Sequence, residues 1–307
     1  MRALRIAFAL LAAGAALIFF GLRARFGGGD AFPDRSGPAQ LGADALELVA
    51  NLDFPPGSIA VSAGGRVFAS FRPEAGPPFS VFELRDGAPA PYPPGGLPGG
   101  LAYQSVLALR VDRRNRLWVL DHGRHGLGTA RLLAFDLATD ALVHRHDFPA
   151  KIALPGSELA DFQVSSDGRH VYVADASLFA QIPAIIDYEV SRQRSRRLLQ
   201  GHPSVLAEHY LPEVQGVRME FLGFFALRPN VDSIALDDAG EWLYFAPLTS
   251  RWLYRARTAD LDDDRLLREE LESRVERYAE KTMSDGIAID PAGSVYLADP
   301  EHSAIEA

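Results

Sequence analysis

Short apolar stretches of three to six residues, separated by turns of Gly, Asp and Asn, recur along this chain at nearly even intervals. The clearest copy is SDGIAIDPAGSVYLAD (residues 284–299): a strand at 287–289, a turn at 290–293, and a second strand at 294–298 closed by Asp299. The same phrase returns as VDSIALDDAGEWLYFAP (231–247), ADFQVSSDGRHVYVAD (160–175) and LALRVDRRNRLWVLD (107–121), and more faintly as GSIAVSAGGRVFASF (57–71). Phe68, Trp118, Tyr172, Tyr244 and Tyr296 hold one place in each copy. Gly65, Asn115, Gly168, Gly240 and Gly293 hold the turn, where a positive φ must be tolerated. The aromatics are 50, 54, 72 and 52 residues apart. A unit of about 50 residues made of short strands suits a four-stranded propeller blade. Residues 116–120 are mostly apolar and β-prone, as in a strand covered on both faces. A β-sandwich with similar hairpins is the weaker option against five matched copies. The fold class expected is all-β, a β-propeller.

Taken in order, the chain opens with a continuous apolar run at 6–22, flanked by Arg2 and Arg5 before it and by Arg23 and Arg25 after it. Residues 1–25 therefore read as an export signal or a membrane anchor, and the lack of a small-x-small cleavage site favours the anchor. Residues 26–43 are a Gly/Pro-rich linker and 44–307 the propeller. Residues 45–54 look like a lone outer strand that would close the ring. Further strands are expected at 80–84, 130–136, 143–148 and 184–190, and the basic run at 192–197 reads as a solvated turn and edge. Residues 205–231 are an insertion carrying Tyr210, Met219, Phe221, Phe224 and Phe225, either a lid on the binding face or mere padding. The charge order of 261–281 predicts an amphipathic helix outside the fourth blade. The fifth copy only begins a third strand, so the propeller is expected to be C-terminally incomplete, with an opening between its fifth and first blades.

Composition narrows the function. A net charge of −9 in 307 residues argues against a nucleic-acid partner. The absence of cysteine excludes disulfides, a thiolate nucleophile and a Cys-bound metal. The phrases GHPSV (201–205), AIIDYEV (184–190), LYFAPLTSRWLYR (243–255) and SDGIAID followed by YLADPEHSAI (284–305) resemble the major royal jelly protein/yellow family, in its bacterial, dopachrome-tautomerase-related branch. The resemblance runs from about residue 45 onward. It implies a secreted or extracytoplasmic six-bladed propeller that binds small molecules in its central channel. Insect relatives include amine-binding salivary proteins and pigment-pathway proteins, with dopachrome conversion attributed to some. The more distant gluconolactonase/regucalcin-like propellers hold a divalent metal on the channel axis.

The chemistry is expected where each blade's first strand meets the channel. That entry position is acidic in three copies, as Asp161, Asp232 and Asp285. Equivalent positions surround one axis, so these carboxylates can converge as ligand-binding groups, or as hard-oxygen ligands for Ca²⁺ or another divalent metal. Against the lactonase-like pattern, Asp285 fits the metal-binding Asp-Gly, Asp232-Ser233 replaces an Asn-Gly, and Gly57 and Ser58 stand where a glutamate is needed. The plainer alternative is that the aspartates cap backbone amides. His122 and His125 in DHGRHGLG offer a weaker ligand or base, while Asp121, Asp175 and Asp299 are read as turn formers. No nucleophile-base pair, P-loop or dinucleotide motif is present. Two functions remain: a propeller that binds a small molecule, cationic or aromatic, without turning it over, and a metal-dependent lactone hydrolase or tautomerase. The expected partner is a small-molecule ligand, with membrane contact only through the N-terminal segment and the chain a monomer.

Overall fold

Apolar strand pairs as short as these bury both faces only by stacking sheet on sheet around an axis, and the chain does so. The structure, a computed structural model, describes residues 2–223 and 225–307. After helix α1 (Arg2–Phe26) come three antiparallel four-stranded meanders. The first is β1–β4 (Pro56–Val61, Val67–Phe71, Val81–Arg85, Ala88–Pro91). The second is β5–β8 (Val106–Val111, Arg116–Asp121, Arg131–Asp136, Ala141–Asp147), with the helical turn α2 (Gly123–Gly126) after β6. The third is β9–β12 (Leu159–Val164, His170–Asp175, Ala184–Glu189, Arg194–Leu198). The insertion then forms two small hairpins, β13–β14 (Glu213–Val214, Val217–Arg218) and β15–β16 (Glu220–Phe221, Phe225–Ala226). The fourth blade is β17–β20 (Val231–Leu236, Trp242–Pro247, Trp252–Arg257, Glu276–Glu280), with α3 (Thr258–Asp262) and α4 (Arg268–Ser273) before its last strand. The fifth sheet, β21–β23 (Ile287–Ile289, Val295–Asp299, Ala304–Glu306), has three strands. The described residues thus form five blades, not six. No helix among them is long and apolar enough to cross a membrane.

The repeated aromatic is the joint between blades. Phe68 packs into the core shared by the first two blades, Trp118 into that of the second and third, Tyr172 into that of the third and fourth, and Tyr244 into that of the fourth and fifth. Tyr296, in the same place on the fifth blade, stays 37% exposed. The complementary face tells the same story. Leu109, Phe162, Ile234 and Ile287 are buried, whereas their counterpart Ile59 on the first blade is 61% exposed. The first and fifth blades therefore do not share a core, and the ring is open between them.

Two expected elements differ. Residues 45–54 form no strand: the first blade supplies its own β4, while Leu52 and Phe54 pack beside Phe71 and Phe82. The helix expected over 261–281 gives way to α3, α4 and the strand β20. Helix propensity yields here to pairing with β19. Arg277 stacks over Trp252 and Tyr278 meets Tyr244 edge-on. Leu261 and Leu271 keep the helical reading's buried face, with Val275 half-buried against the same core.

Candidate functional site

The inner strands β1, β5, β9, β17 and β21 surround a cavity of about 950 Å³. In each of the first four blades the ladder slips by one residue near the start of the inner strand, so two residues there face one on the second strand. Such a bulge re-aims the extra side chain. The residues at this step, Gly57, Leu107, Ala160 and Asp232, all line the cavity. Asp285 occupies the same step on the fifth blade, one residue ahead of Gly286, whose carbonyl accepts from the Ala298 N–H (3.1 Å).

Asp232 and Asp285 are thus equivalent residues of adjacent blades, and they are brought together. Burial first, and then the charge of Asp285 and its hydrogen bond, push the Asp232 carboxyl well above the usual range. The low-dielectric wall thus favours a proton on Asp232, beside Asp285. The Arg72 guanidinium lies 3.6 Å from Asp285 Oδ2.

Asp161 departs from the sequence reading. It sits one residue past the bulge, opposite Ala174, where the fourth blade has Ser233. Both of its oxygens accept from Arg110 Nη2 on the neighbouring inner strand, each at 2.6 Å, and Oδ1 also accepts from the Phe162 N–H (2.8 Å). Burial pushes this carboxyl up, and Arg110 pulls against it. Asp161 is therefore tied to Arg110 across two blades. It does not gather with Asp232 and Asp285 into a three-ligand group: among the described residues the trio with ligand atoms within 4.8 Å of one another is His170, Asp187 and Asp262. That trio lies between the third blade and α3. Its groups already have partners: Asp187 meets His170 and Arg196, and Asp262 accepts from the Tyr172 hydroxyl (2.7 Å).

His122 does not line the channel. Its ring is buried, Nδ1 accepts from the His125 N–H (3.0 Å), and burial lowers its pKa to about 3. Accepting at Nδ1 places the proton on Nε2, which is buried without a hydrogen-bond partner. Asp121, Asp175 and Asp299 accept the amides of their own turns from Gly123 (3.0 Å), Ser177 (3.0 Å) and His302 (3.1 Å), and Asp121 and Asp175 also accept those of the incoming inner strand from Ser105 (2.9 Å) and Glu158 (3.0 Å).

The sequence reading missed Glu158. It stands immediately before β9, lines the cavity, and is pushed up to about 7 by burial first and Glu74 next. Its Oε1 lies 3.8 Å from His125 Nδ1. The only signal was an acidic residue just ahead of an inner strand. The insertion reaches the cavity too, through Val214, Met219, Leu227 and Pro229. Of its expected lid residues Met219 alone is in the lining; Tyr210 packs on Phe32, Phe221 is exposed, Phe225 packs on Phe26, and Phe224 lies outside the described residues. The lining holds no aromatic ring among the described residues, so its apolar part is aliphatic.

With this geometry in hand, comparison with known proteins decides the ancestry. The sequence pattern of the family described as "Major royal jelly protein" matches residues 104–307. The chain belongs to that family. Among curated relatives, Major royal jelly protein 3 of Apis mellifera is 26% identical over 204 residues, covering 63% of this chain and 36% of the relative. Protein yellow of Drosophila subobscura is 27% identical over 205 residues, covering 60% of this chain and 32% of the relative. The chain spans about a third of the length of these royal jelly and yellow proteins. Of solved structures, the Kuenenia stuttgartiensis hydrazine synthase superposes with a TM-score of 0.50 at 12% identity, covering 82% of both chains. PorZ, a surface component of the Porphyromonas gingivalis type-IX secretion system, gives 0.50 at 14%, covering 81% of this chain and 33% of that one. These two likenesses show the propeller fold alone.

Proposed function

We propose that this royal jelly family propeller is extracytoplasmic and binds a small cationic molecule in its central channel without turning it over. The observation that carries the reading is the carboxyl pair Asp232–Asp285, with Glu158 on the same cavity wall. Two carboxyl groups held together at low dielectric bind a proton because they lack a better cation. An ammonium group is such a cation, and the aliphatic walls from Leu178, Val214, Met219 and Leu227 suit an apolar body behind it. Tryptamine and dopamine are suitable probes. Equilibrium dialysis is expected to show saturable binding of at least one, weakened at least tenfold in Asp285→Asn. No saturable binding to the wild type, or equal binding to the variant, would sink the reading.

The same pair favours a second reading, in which Asp232 and Asp285 hold a divalent cation such as Ca²⁺ and the protein is a lactone hydrolase or tautomerase. The cation would polarise a substrate oxygen, and Asp161, occupied by Arg110, would take no part. Metal analysis of wild type beside Asp285→Asn separates the two.

We also infer that the full ring has six blades. Ile59 and Tyr296 are the two halves of an interblade joint that the other blades fill. A structure of the protein isolated from cells decides this. A sixth sheet seated between those residues supports the inference, and the two faces closing directly on each other would contradict it.

A further inference from the structure

The insertion does more than line the channel: it also seats the N-terminal segment. Phe26, in the last turn of α1, packs against Phe225 of β16 with ring centroids 6.2 Å apart. Arg228 then donates to the carbonyls of Gly27 (3.3 Å) and Gly28. The Asp30 N–H donates to the His209 carbonyl (3.1 Å), and the Leu211 N–H to the Asp30 carbonyl (2.9 Å). Phe32 closes the seat against Tyr210. Beyond it, α1 leaves large apolar side chains in the open, among them Phe8, Leu11, Leu17 and Phe20. The insertion hairpins likewise point apolar residues outward: Val217, Phe221 and Leu222 are 69, 52 and 68% exposed. The helix packs on the same segment whose Val214, Met219 and Leu227 line the cavity and whose hairpin tips are exposed.

We propose that α1 and the hairpin tips form a membrane-docking surface, lying in the headgroup layer of an anionic bilayer with the channel mouth opening toward it. A helix that leaves Phe8, Leu11, Leu17 and Phe20 in the open calls for a nonaqueous neighbour. Arg5 and Arg23, near its two ends, supply charge for anionic headgroups. The exposed tips add further apolar surface next to the strand that α1 packs on, so in this proposal a bilayer covers helix and tips together.

The chain has no cysteine, so a single introduced one can carry an environment-sensitive fluorophore. Leu222→Cys reports on the hairpin tip. Asp238→Cys sits in the turn beyond β17, at the far mouth, about 20 Å from Asp232 by the rise of a six-residue strand. Added vesicles of phosphatidylglycerol and phosphatidylcholine are expected to brighten the Leu222 label several-fold and blue-shift it, leaving the Asp238 label unchanged. Both labels responding alike, or neither responding, overturns the proposal. In co-sedimentation with the same vesicles, the exposed triple change Val217→Ser, Phe221→Ser, Leu222→Ser is expected to lower the bound fraction at least fivefold. An unchanged fraction means that α1 binds alone and the mouth has no fixed orientation. Neither measurement uses a channel ligand, so its failure leaves the amine-binding reading standing.

Discussion

Trp118→Ala is expected to lower the stability to unfolding by about 3–5 kcal/mol, the range for removing a large buried aromatic. Tyr296→Ala, the same change three joints further round, is expected to cost about 1 kcal/mol or less, as for a partly exposed site away from a core. Trp118 is fully buried between the second and third blades, and its indole N–H donates to Asp112 Oδ2 (2.8 Å). Removing it opens a cavity that two stacked sheets cannot collapse around, and it also strips Asp112 of a donor. Among the described residues no blade follows Tyr296 against which a cavity could be left. Its hydroxyl reaches only the exposed Asp290 (3.1 Å). Chemical denaturation of the two variants measures the difference. Equal losses would mean that the fifth blade is packed as tightly as the rest, and the open joint would be wrong.

The second large effect lies inside the channel. Arg110→Ala is expected to destabilise the protein by about 3 kcal/mol, the lower end for breaking a buried pair because both partners keep some water contact. The cost comes from Asp161, left as an unpaired carboxylate in a low-dielectric wall. Its pKa in the folded variant then lies still further above the unfolded value. The missing stability is accordingly small below the unfolded pKa and grows as pH rises through the folded one. Denaturation at pH 5 and pH 8 should therefore show the larger loss at pH 8. Adding Asp161→Asn, which removes the charge, should recover most of it. A loss that is independent of pH and not rescued by Asn would show that Arg110 matters through its packing over Phe162 instead.

The blade repeat was legible because its carriers are local. A turn glycine and an aromatic at fixed spacing specify a hairpin and its interblade joint without reference to the rest of the chain. The channel was less legible. Asp161, Asp232 and Asp285 hold similar places in their repeats, but the bulge in the inner strands shifts Asp161 by one residue, into the reach of Arg110. A bulge has no sequence signature when the extra residue is as plain as Ala160 or Leu107. Glu158 was missed because its role depends on burial and on neighbours from other segments, Glu74 and Arg72. At 261–281 the helical charge pattern was real, but the strand partner that overrides it, β19, lies outside the window.

The most direct measurement of the central claim is calorimetry of tryptamine binding in two buffers of different ionisation enthalpy, between pH 6 and pH 8. Burial and Asp285 push the Asp232 carboxyl well above its ordinary range, and Glu158 is pushed up to about 7. An ammonium group entering between these carboxyls favours their charged forms, so binding must expel protons and tighten as pH rises. The account predicts a buffer-dependent heat that corresponds to proton release, an affinity that climbs toward pH 8, and loss of both in Asp232→Asn. Binding with no proton release, or with the same pH profile in that variant, would contradict it.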